Sequence, residues 1–315
     1  MAEEPVTPSA YDVLLDGGYF CDLLFSGLPR MPALGSDVFG DAFAMTPGWT
    51  YRTALALTRL KVRVGWAVDF GNDLFSKYVM NEAGRAGIAQ ELFRLHDRPV
   101  RRVSAALVFG HDRAFVSFMD PIEVSSVAPL VEEYRPQWTV LGSLQYGERF
   151  HQIVVSARRS GSRVLMDCQD VAVTLATPGV AEAISAVDVF VPNEVEAKRL
   201  TGQRRTAEAM RILAGLGPTV VVKRGRHGSV AQLGRFTWHA APLQVRAEST
   251  AGAGDCFIAG FLYGLLSGVD IGEALRFGNV VGGLSTIALD GSHLPDATQL
   301  LDQASLIPPP TRRAR

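Results

Sequence analysis

The stretch STAGAGDCFIAGFLYGLL, residues 249–266, decides how the rest of the chain is interpreted. It opens with small residues and one acid, Asp255, and continues as an almost uninterrupted apolar run. Such a run predicts a helix that is buried on nearly every side. Glycine costs about 1 kcal/mol relative to alanine inside a helix. The glycines at the start therefore indicate that another group comes close to the backbone there.

The predicted helix begins near Gly252, and its first turn holds Ala253, Gly254 and Asp255. A helix N-terminus binds anions because its N–H groups are unpaired and the helix dipole is positive there. A carboxylate beside a bound phosphate could accept a proton from an attacking hydroxyl, as phosphoryl transfer to an alcohol requires. The alternative is structural: the glycines allow a close helix–strand contact and Asp255 caps the helix. This stretch alone does not decide between the two.

Composition narrows the class of protein. The 315 residues include 31 basic and 32 acidic ones, so no basic excess points to nucleic acid or an anionic membrane. Three cysteines without CxxC spacing favour neither a zinc site nor a disulfide framework, and they fit a reducing compartment. No segment has the pattern of a signal peptide or the ~20 apolar residues of a membrane span. We expect a cytoplasmic protein with no membrane or nucleic-acid partner.

From about residue 138 onward, short apolar runs alternate with longer helical patterns. The runs are rich in β-branched residues and end in turn or polar residues, which predicts buried strands. They are WTVLG (138–142), RVLMD (163–167), VDVFVPN (187–193) and TVVVKRG (219–225). The alternation predicts a mostly parallel sheet covered by helices. Ligands of such sheets bind beyond the carboxyl ends of the strands.

The first third of the chain adds a different element. Residues 103–120, VSAALVFGHDRAFVSFMD, predict a β-hairpin whose turn is GHDR. We therefore expect a single α/β domain over residues 11–304, with a small β lid from about 18–45 and 100–120. Residues 1–10 and 305–315 are rich in proline, small or charged residues, which predicts flexible tails.

Five segments in order along the chain resemble known motifs. TAGAGD (250–255) resembles the DTxGAGD signature of the ribokinase-like (PfkB) carbohydrate kinase family. The other four segments are GYFCDLL (18–24), similar to GxxxxDl; VDFGNDLF (68–75), similar to GxxGxDxfG; VPNEVEAKRLTG (191–202), similar to the NxxE segment; and VVVKRGRHGSV (220–230), similar to vTlGxxG. Together they are far more specific than any one alone.

The resemblance implies a three-layer α/β sandwich with a mostly parallel central sheet and a small β-sheet lid. It also implies an enzyme that moves the γ-phosphate of MgATP to a hydroxyl of a sugar or sugar-like molecule. Asp255 would be the catalytic base. The N–H groups of Ala253, Gly254 and Asp255 would form the anion hole, and Gly252 would allow access to it.

The same resemblance assigns the cofactor site. Asn193 and Glu196 would organise Mg²⁺ largely through water, which suits an ion that keeps several waters. The alternative for Glu196 is a solvated helix face. Further residues would lie along the nucleotide: Lys223, Gly225, Gly228, Thr250 and Asn279. Lys223 could equally be only a charge at the end of a strand.

On the acceptor side, the resemblance implies that Asp22 binds hydroxyl groups. The family usually has GGxxxNxA ahead of its first helix, whereas residues 47–54 read PGWTYRTA, which keeps Gly48 and puts Arg52 in place of Asn. An arginine there could pair with a carboxylate or phosphate on the acceptor. Alternatively, Arg52 turns to solvent or pairs within the protein.

Other departures and alternatives remain. Ser249 replaces the acid that helps bind an activating monovalent cation in the family, which argues against a requirement for K⁺. The altered acceptor segment leaves open a degenerate member that binds nucleotide or sugar in a regulatory role without turnover. A dinucleotide-dependent oxidoreductase is disfavoured because no GxGxxG lies between an early strand and a helix. The resemblance also allows for a homodimer formed through the lid.

Overall fold

The structure is a computed structural model that describes residues 10–109, 112–169, 172–288 and 290–314. In chain order, the strands of this part are β1 (Val13–Asp16), β2 (Tyr19–Ser26), β3 (Ala42–Trp49), β4 (Val64–Phe70), β5 (Phe93–Leu95), β6 (Arg102–Phe109), β7 (Asp112–Met119), β8 (Trp138–Leu141), β9 (Arg163–Asp167), β10 (Val189–Val191), β11 (Thr219–Lys223), β12 (Ser229–Leu233), β13 (Phe236–Ala240) and β14 (Thr311–Ala314).

The α-helices of the same part lie between these strands or follow them. They are α1 (Thr50–Arg59), α2 (Leu74–Arg85), α3 (Ala128–Tyr134), α4 (Glu148–Ser160), α5 (Val180–Ala186), α6 (Glu194–Thr201), α7 (Thr206–Ala214), α8 (Ala253–Leu266), α9 (Ile271–Leu284) and α10 (Ala297–Ser305). No helix among the described residues is both long and apolar enough to cross a membrane.

A large sheet forms the centre of the molecule, with strand order β14-β13-β12-β11-β10-β9-β8-β1-β4-β5. The neighbouring pairs from β11 to β5 are parallel, and β12, β13 and β14 extend the sheet by antiparallel pairing. The sequence prediction of a mostly parallel sheet is confirmed. The carboxyl ends of β9, β10 and β11 lie side by side, which places the residues that follow them at one edge.

Two hydrophobic cores cover the faces of this sheet. Alternate residues of one strand enter different cores: Val13 and Leu15 belong to the core that includes residues of α1, α8 and α9, whereas Leu14 belongs to the core that includes residues of α4 and α5. This is the period of two expected for a strand buried on both faces. The result is the predicted three-layer arrangement of helix, sheet and helix.

A separate sheet has the strand order β3-β2-β6-β7. It occupies the region predicted for the lid, and we call it the lid sheet. Strand β3 continues to Trp49, past the predicted limit at residue 45, because Tyr19 to Asp22 of β2 pair with Thr46 to Trp49. The β6–β7 hairpin was predicted, and residues 110–111 of its turn lie outside the described residues.

The C-terminal end differs from the flexible tail predicted for residues 305–315. Thr311–Ala314 form β14, which pairs antiparallel with β13. The edge of β13 offers unpaired backbone groups. The guanidinium of Arg312 lies 4.1 Å from the centre of the Phe236 ring, so a cation–π contact holds the added strand. Of the predicted N-terminal tail, residues 1–9 lie outside the described residues.

Candidate active site

The first turn of α8 has the geometry of an anion-binding site. Gly252 precedes the helix with φ 74°, a left-handed conformation that favours glycine. No side chain caps this end of the helix. The N–H of Ala253 makes one long bond, 3.4 Å, to the carbonyl of Thr250, whereas the N–H groups of Gly254 and Asp255 have no partner among the described residues. Two backbone donors are therefore free for an anion.

Asp255 lies in that turn with an unusually basic carboxyl group. Burial, together with the neighbouring carboxylate of Asp167, raises its pKa to about 7 against the opposing charges of Lys223 and Arg52. The amide nitrogen of Gln169 lies 3.4 Å from the Asp255 carboxylate. A carboxylate with a pKa near neutrality is a better proton acceptor than an ordinary one.

Lys223 lies between α8 and the ends of the parallel strands. Its Nζ donates to Oδ1 of Asp167, the last residue of β9, at 2.7 Å. Burial alone lowers the pKa of Lys223, but the charges of Asp167 and Glu196 outweigh burial, and the pKa is raised overall. The ammonium group therefore stays charged at neutral pH.

Asn193 and Glu196 occupy the start of α6 as a capping box. The Asn193 side chain accepts from the backbone N–H groups of Val195 and Glu196, and Oε2 of Glu196 accepts from the N–H of Asn193 at 2.7 Å. Glu196 is buried, so it is not on a solvated helix face. Burial raises its pKa, and the charge of Lys223 opposes that rise. One carboxylate oxygen, Oε1, has no partner among the described residues.

A pocket of ≈ 250 Å³ opens beside the same helix turn. Glycines and apolar residues form most of its wall, and the predicted nucleotide residues are among them. These are Lys223, Gly225, Gly228, Thr250 and Asn279, together with Ala253 and Gly254 of the anion site. Asn279 uses its amide to donate to the carbonyls of Ala240 and Ala241, at 3.1 and 2.9 Å, so it holds the pocket wall in place. At Gly228 a Cβ atom would clash with the Ala240 carbonyl.

Asp22 of β2 and Arg52 of α1, the residues predicted to bind the acceptor, lie near each other. Asp22 pairs with Thr46 in the lid sheet, and burial raises its pKa to about 6, against the opposing charge of Arg52. A Cβ at Gly48 would clash with the Asp22 carboxylate, so glycine at this position lets Asp22 keep its place. Arg52 does not turn to solvent: it is 2 % exposed, and Nη2 donates to Thr46 Oγ1 at 3.0 Å.

Arg52 also contacts the anion site directly. A Cβ on Gly252 would lie 3.0 Å from Cγ of Arg52, so the side chain packs against the turn that precedes α8. No carboxylate forms an ion pair with Arg52 among the described residues. The first turn of α8 therefore has the pocket on one side and the Arg52–Asp22 group on the other.

Sequence reasoning missed several residues of this region. Asp167 ends a correctly predicted strand and Gln169 follows it, and the rule that ligands bind at carboxyl ends could have identified them. Arg102 begins β6 of the lid sheet and is 8 % exposed; its Nε is buried without a partner, and its guanidinium lies 5.8 Å from the centre of the Trp49 ring. Trp49 itself has φ 56°, a strained value for a large residue.

Comparisons with known proteins identify the family of this chain. The model of the pfkB family carbohydrate kinase matches residues 52–293. A 1-phosphofructokinase of Rhodobacter capsulatus is 31% identical over 194 residues, which are 57% of this chain and 59% of that enzyme, so the chain spans less than two thirds of its length. A fructoselysine 6-kinase of Shigella flexneri is 25% identical over 241 residues, 75% of this chain and 87% of that enzyme.

The fold comparison covers more of the chain. The structure of Arabidopsis thaliana ribokinase complexed with ribose and ATP aligns with a TM-score of 0.78 at 20% identity, over 93% of this chain and 98% of that one. At that identity the match shows the fold. The chain, with its large mostly parallel sheet and its separate four-stranded sheet, therefore has a ribokinase fold.

Proposed function

Because the chain belongs to the pfkB family of carbohydrate kinases, we propose that it transfers the γ-phosphate of MgATP to a hydroxyl of a sugar or sugar-like molecule. One observation carries the proposal: Asp255 and two unpaired N–H groups lie between the pocket of ≈ 250 Å³ and the polar side chains of Asp22 and Arg52. The test is release of ADP from MgATP across a panel of acceptors. ATP binding without turnover on any acceptor would favour a regulatory role instead.

In the proposed mechanism, each group of the site has one task. ATP lies in the pocket with its γ-phosphate at the N–H groups of Gly254 and Asp255. Asp22 holds the acceptor through its hydroxyls. Asp255 accepts the proton of the attacking hydroxyl while the bond between the γ-phosphorus and the bridging oxygen of ADP breaks. The lid sheet limits the access of water, which would otherwise compete as an acceptor.

The residues at the start of α6 fit a magnesium ion that is held largely through water. Among the described residues, no three His, Cys, Asp or Glu side chains form a group that could hold a metal ion alone. The free Oε1 of Glu196 would anchor one water of an ion that arrives with the nucleotide. The bound Mg²⁺ would neutralise phosphate charge. Asn193 fixes the carboxylate of Glu196 through the capping box.

Cation requirements test this assignment. Asn193→Ala removes the capping box, and we expect the half-saturating Mg²⁺ concentration to rise several-fold and the free energy of unfolding to fall by about 1 kcal/mol. Asp296→Ala removes the similar capping box of α10 and is the matched control: it should lower stability by a similar amount without changing the Mg²⁺ requirement.

Replacing K⁺ by Na⁺ should leave the rate similar, because Ser249 stands at the cation-binding position. An unchanged Mg²⁺ requirement in Asn193→Ala, or a strong K⁺ requirement, would contradict the assignment.

We propose in addition that the acceptor carries a negative charge. Arg52 and Arg102 are both buried, and neither has an ion-pair partner among the described residues. A buried charge without a partner is costly, so a ligand anion is the simplest compensation. Burial lowers the pKa of Arg102, because it disfavours the charged form of the guanidinium. A carboxylate or phosphate of the acceptor would match the planar fork of a guanidinium.

Acceptor preference tests this charge. With wild type, we expect kcat/KM for acidic or phosphorylated acceptors to exceed that for neutral sugars at least tenfold, because a charged hydrogen bond is worth about 1.5–3 kcal/mol. Arg52→Ala should lose most of the preference. The surface variant Arg59→Ala, at the end of α1, is the control and should keep it. Equal use of acidic and neutral acceptors by wild type and Arg52→Ala would contradict the proposal.

The lid sheet also suggests an assembly. By strand register, Phe25, Phe43, Val116 and Phe118 share one face of the lid sheet, and all four are exposed. A sheet face with this many exposed apolar residues is typical of an interface. We propose that a second copy of the chain covers it.

All three cysteines are free and buried, which fits the proposed cytoplasmic location, and cell fractionation would test that location.

Sedimentation tests the dimer. We expect the mass of two chains for wild type at micromolar concentration and of one chain for Phe43→Asp, since a charge in the centre of an apolar interface opposes association. Leu301→Asp, an exposed leucine of α10 that is 54% accessible, is the control and should stay dimeric. A wild-type protein that remains monomeric at every concentration would contradict this part of the account.

A further inference from the structure

The position of Lys223 indicates that it is more than a charge at the end of a strand. It is the last residue of β11, and its side chain is 12 % exposed. A Cβ on Gly254 would lie 3.3 Å from Nζ of Lys223, so the ammonium group lies directly against the backbone of the α8 first turn. Gly254 carries one of the two unpaired N–H groups. The lysine thus adds a full positive charge to the proposed anion hole.

The surroundings of Lys223 leave it free to bind a further anion. Its ammonium has three N–H donors, and among the described residues only Asp167 accepts from one of them. The carboxylates of Glu196 and Asp255 are also close enough to act on its charge. Lys223 further lines the nucleotide pocket together with Gly254. It therefore lies where the pocket, the proposed base and the start of α6 meet.

Resting on the proposed kinase function, we propose that Lys223 is a catalytic residue whose ammonium group binds the phosphoryl group during transfer. It donates to the non-bridging oxygens of the γ-phosphate, beside the N–H groups of Gly254 and Asp255. The acceptor oxygen forms a bond to the γ-phosphorus, the bond to the bridging oxygen breaks, ADP leaves, and the hydroxyl proton goes to Asp255. Lys223 transfers no proton and keeps its charge throughout. A fixed cation in a desolvated site stabilises the charge of the transferring group.

A purely structural role for Lys223 would be to compensate the buried Asp167. That role predicts a loss of stability when the lysine is removed, since Asp167 is 2 % exposed and would lack its partner. It predicts no discrimination between ATP and ADP. The catalytic role predicts discrimination, because only ATP carries the γ-phosphate.

The experiment compares wild type, Lys223→Met and the double variant Lys223→Met/Asp167→Asn. For Lys223→Met we expect kcat to fall about 10²–10³-fold, as for the loss of one donor in an oxyanion hole. We expect affinity for ATP to fall about tenfold or more, and affinity for ADP to change little. The double variant removes the uncompensated charge as well, so its melting temperature should return towards that of wild type while its kcat stays low.

Two results would overturn the proposal. The first is recovery of kcat in the double variant, which would show that Lys223 only compensates Asp167. The second is an equal loss of affinity for ATP and ADP in Lys223→Met, which would place the lysine away from the γ-phosphate. The nucleotide comparison needs no acceptor. If wild type turned over no acceptor, the proposed kinase function would fail. The ratio of the affinities for ATP and ADP would still decide whether Lys223 contacts the γ-phosphate.

Discussion

Replacing Asp255 by asparagine is expected to lower kcat about 10²–10⁴-fold while MgATP binding changes little. The amide has the same shape as the carboxyl group but cannot accept the proton of the attacking hydroxyl. Steady-state rates and nucleotide titration of the purified variant measure both effects. The control is Asp302→Asn in α10, far along the chain from the site, which should retain full activity.

The pH dependence of the rate is a second test of Asp255 as the base. Burial raises the pKa of Asp255 to about 7, so the base is protonated below that pH. The wild-type rate should therefore fall as the pH drops below about 7 and level off above it. A pH–rate profile of kcat without this limb, or an Asp255→Asn variant with wild-type turnover, would be incompatible with Asp255 as the base.

Measuring the stability of the Asp255→Asn variant distinguishes a loss of catalysis from a loss of folded protein. The folded-state pKa of about 7 lies above the ordinary aspartate value of 3.8. A carboxyl group with a raised pKa stabilises the fold while protonated, and that contribution is lost as pH rises through about 7. At pH 8 the Asp255→Asn variant, whose amide is neutral, should therefore be at least as stable as the wild-type protein, in which Asp255 is ionised. Thermal unfolding of the two proteins at pH 5 and pH 8 measures this difference.

Gly252→Ala is expected to lower kcat about 10²-fold or more, because the added methyl group disturbs the anion hole. A Cβ at this position would lie 3.0 Å from Cγ of Arg52, so either Arg52 or the first turn of α8 must move. The left-handed backbone adds a cost of about 1–2 kcal/mol in the folded state. Assays of kcat, together with thermal unfolding, measure the two effects separately.

The chain offers a matched control for this substitution. Gly268 follows the other end of α8 with φ 75°, against 74° for Gly252, and a Cβ there meets nothing within 4 Å. Gly268→Ala should therefore lose similar stability and keep its activity. If both alanine variants lost activity alike, the loss would come from backbone strain, and the role of Gly252 in the anion hole would be wrong.

Much of this site could be predicted from sequence because local patterns determine it. The Gly-rich start of α8 and the strands near residues 138, 163 and 219 were predicted correctly, since both signals depend on neighbours along the chain. The capping box of Asn193 and Glu196 is equally local.

Other features depend on contacts between distant segments. The pair of Lys223 and Asp167 joins residues 56 positions apart. Arg102 meets Trp49 because β3 and β6 flank the same strand, β2, of the lid sheet. Strand β14 forms because β13 leaves an open edge, which the proline-rich C-terminal sequence does not reveal. These features could not be predicted without the arrangement of the strands.

The most direct test of the kinase proposal follows the phosphorus atom itself. ATP labelled in its γ-phosphate is incubated with Mg²⁺ and a panel of sugars, sugar acids and sugar phosphates, with wild type and Asp255→Asn in parallel. Wild type should move the label to a hydroxyl of an acidic or phosphorylated acceptor, and the variant should leave it on ATP. Label that stays on ATP in both proteins, or reaches only water at equal rates, would contradict it.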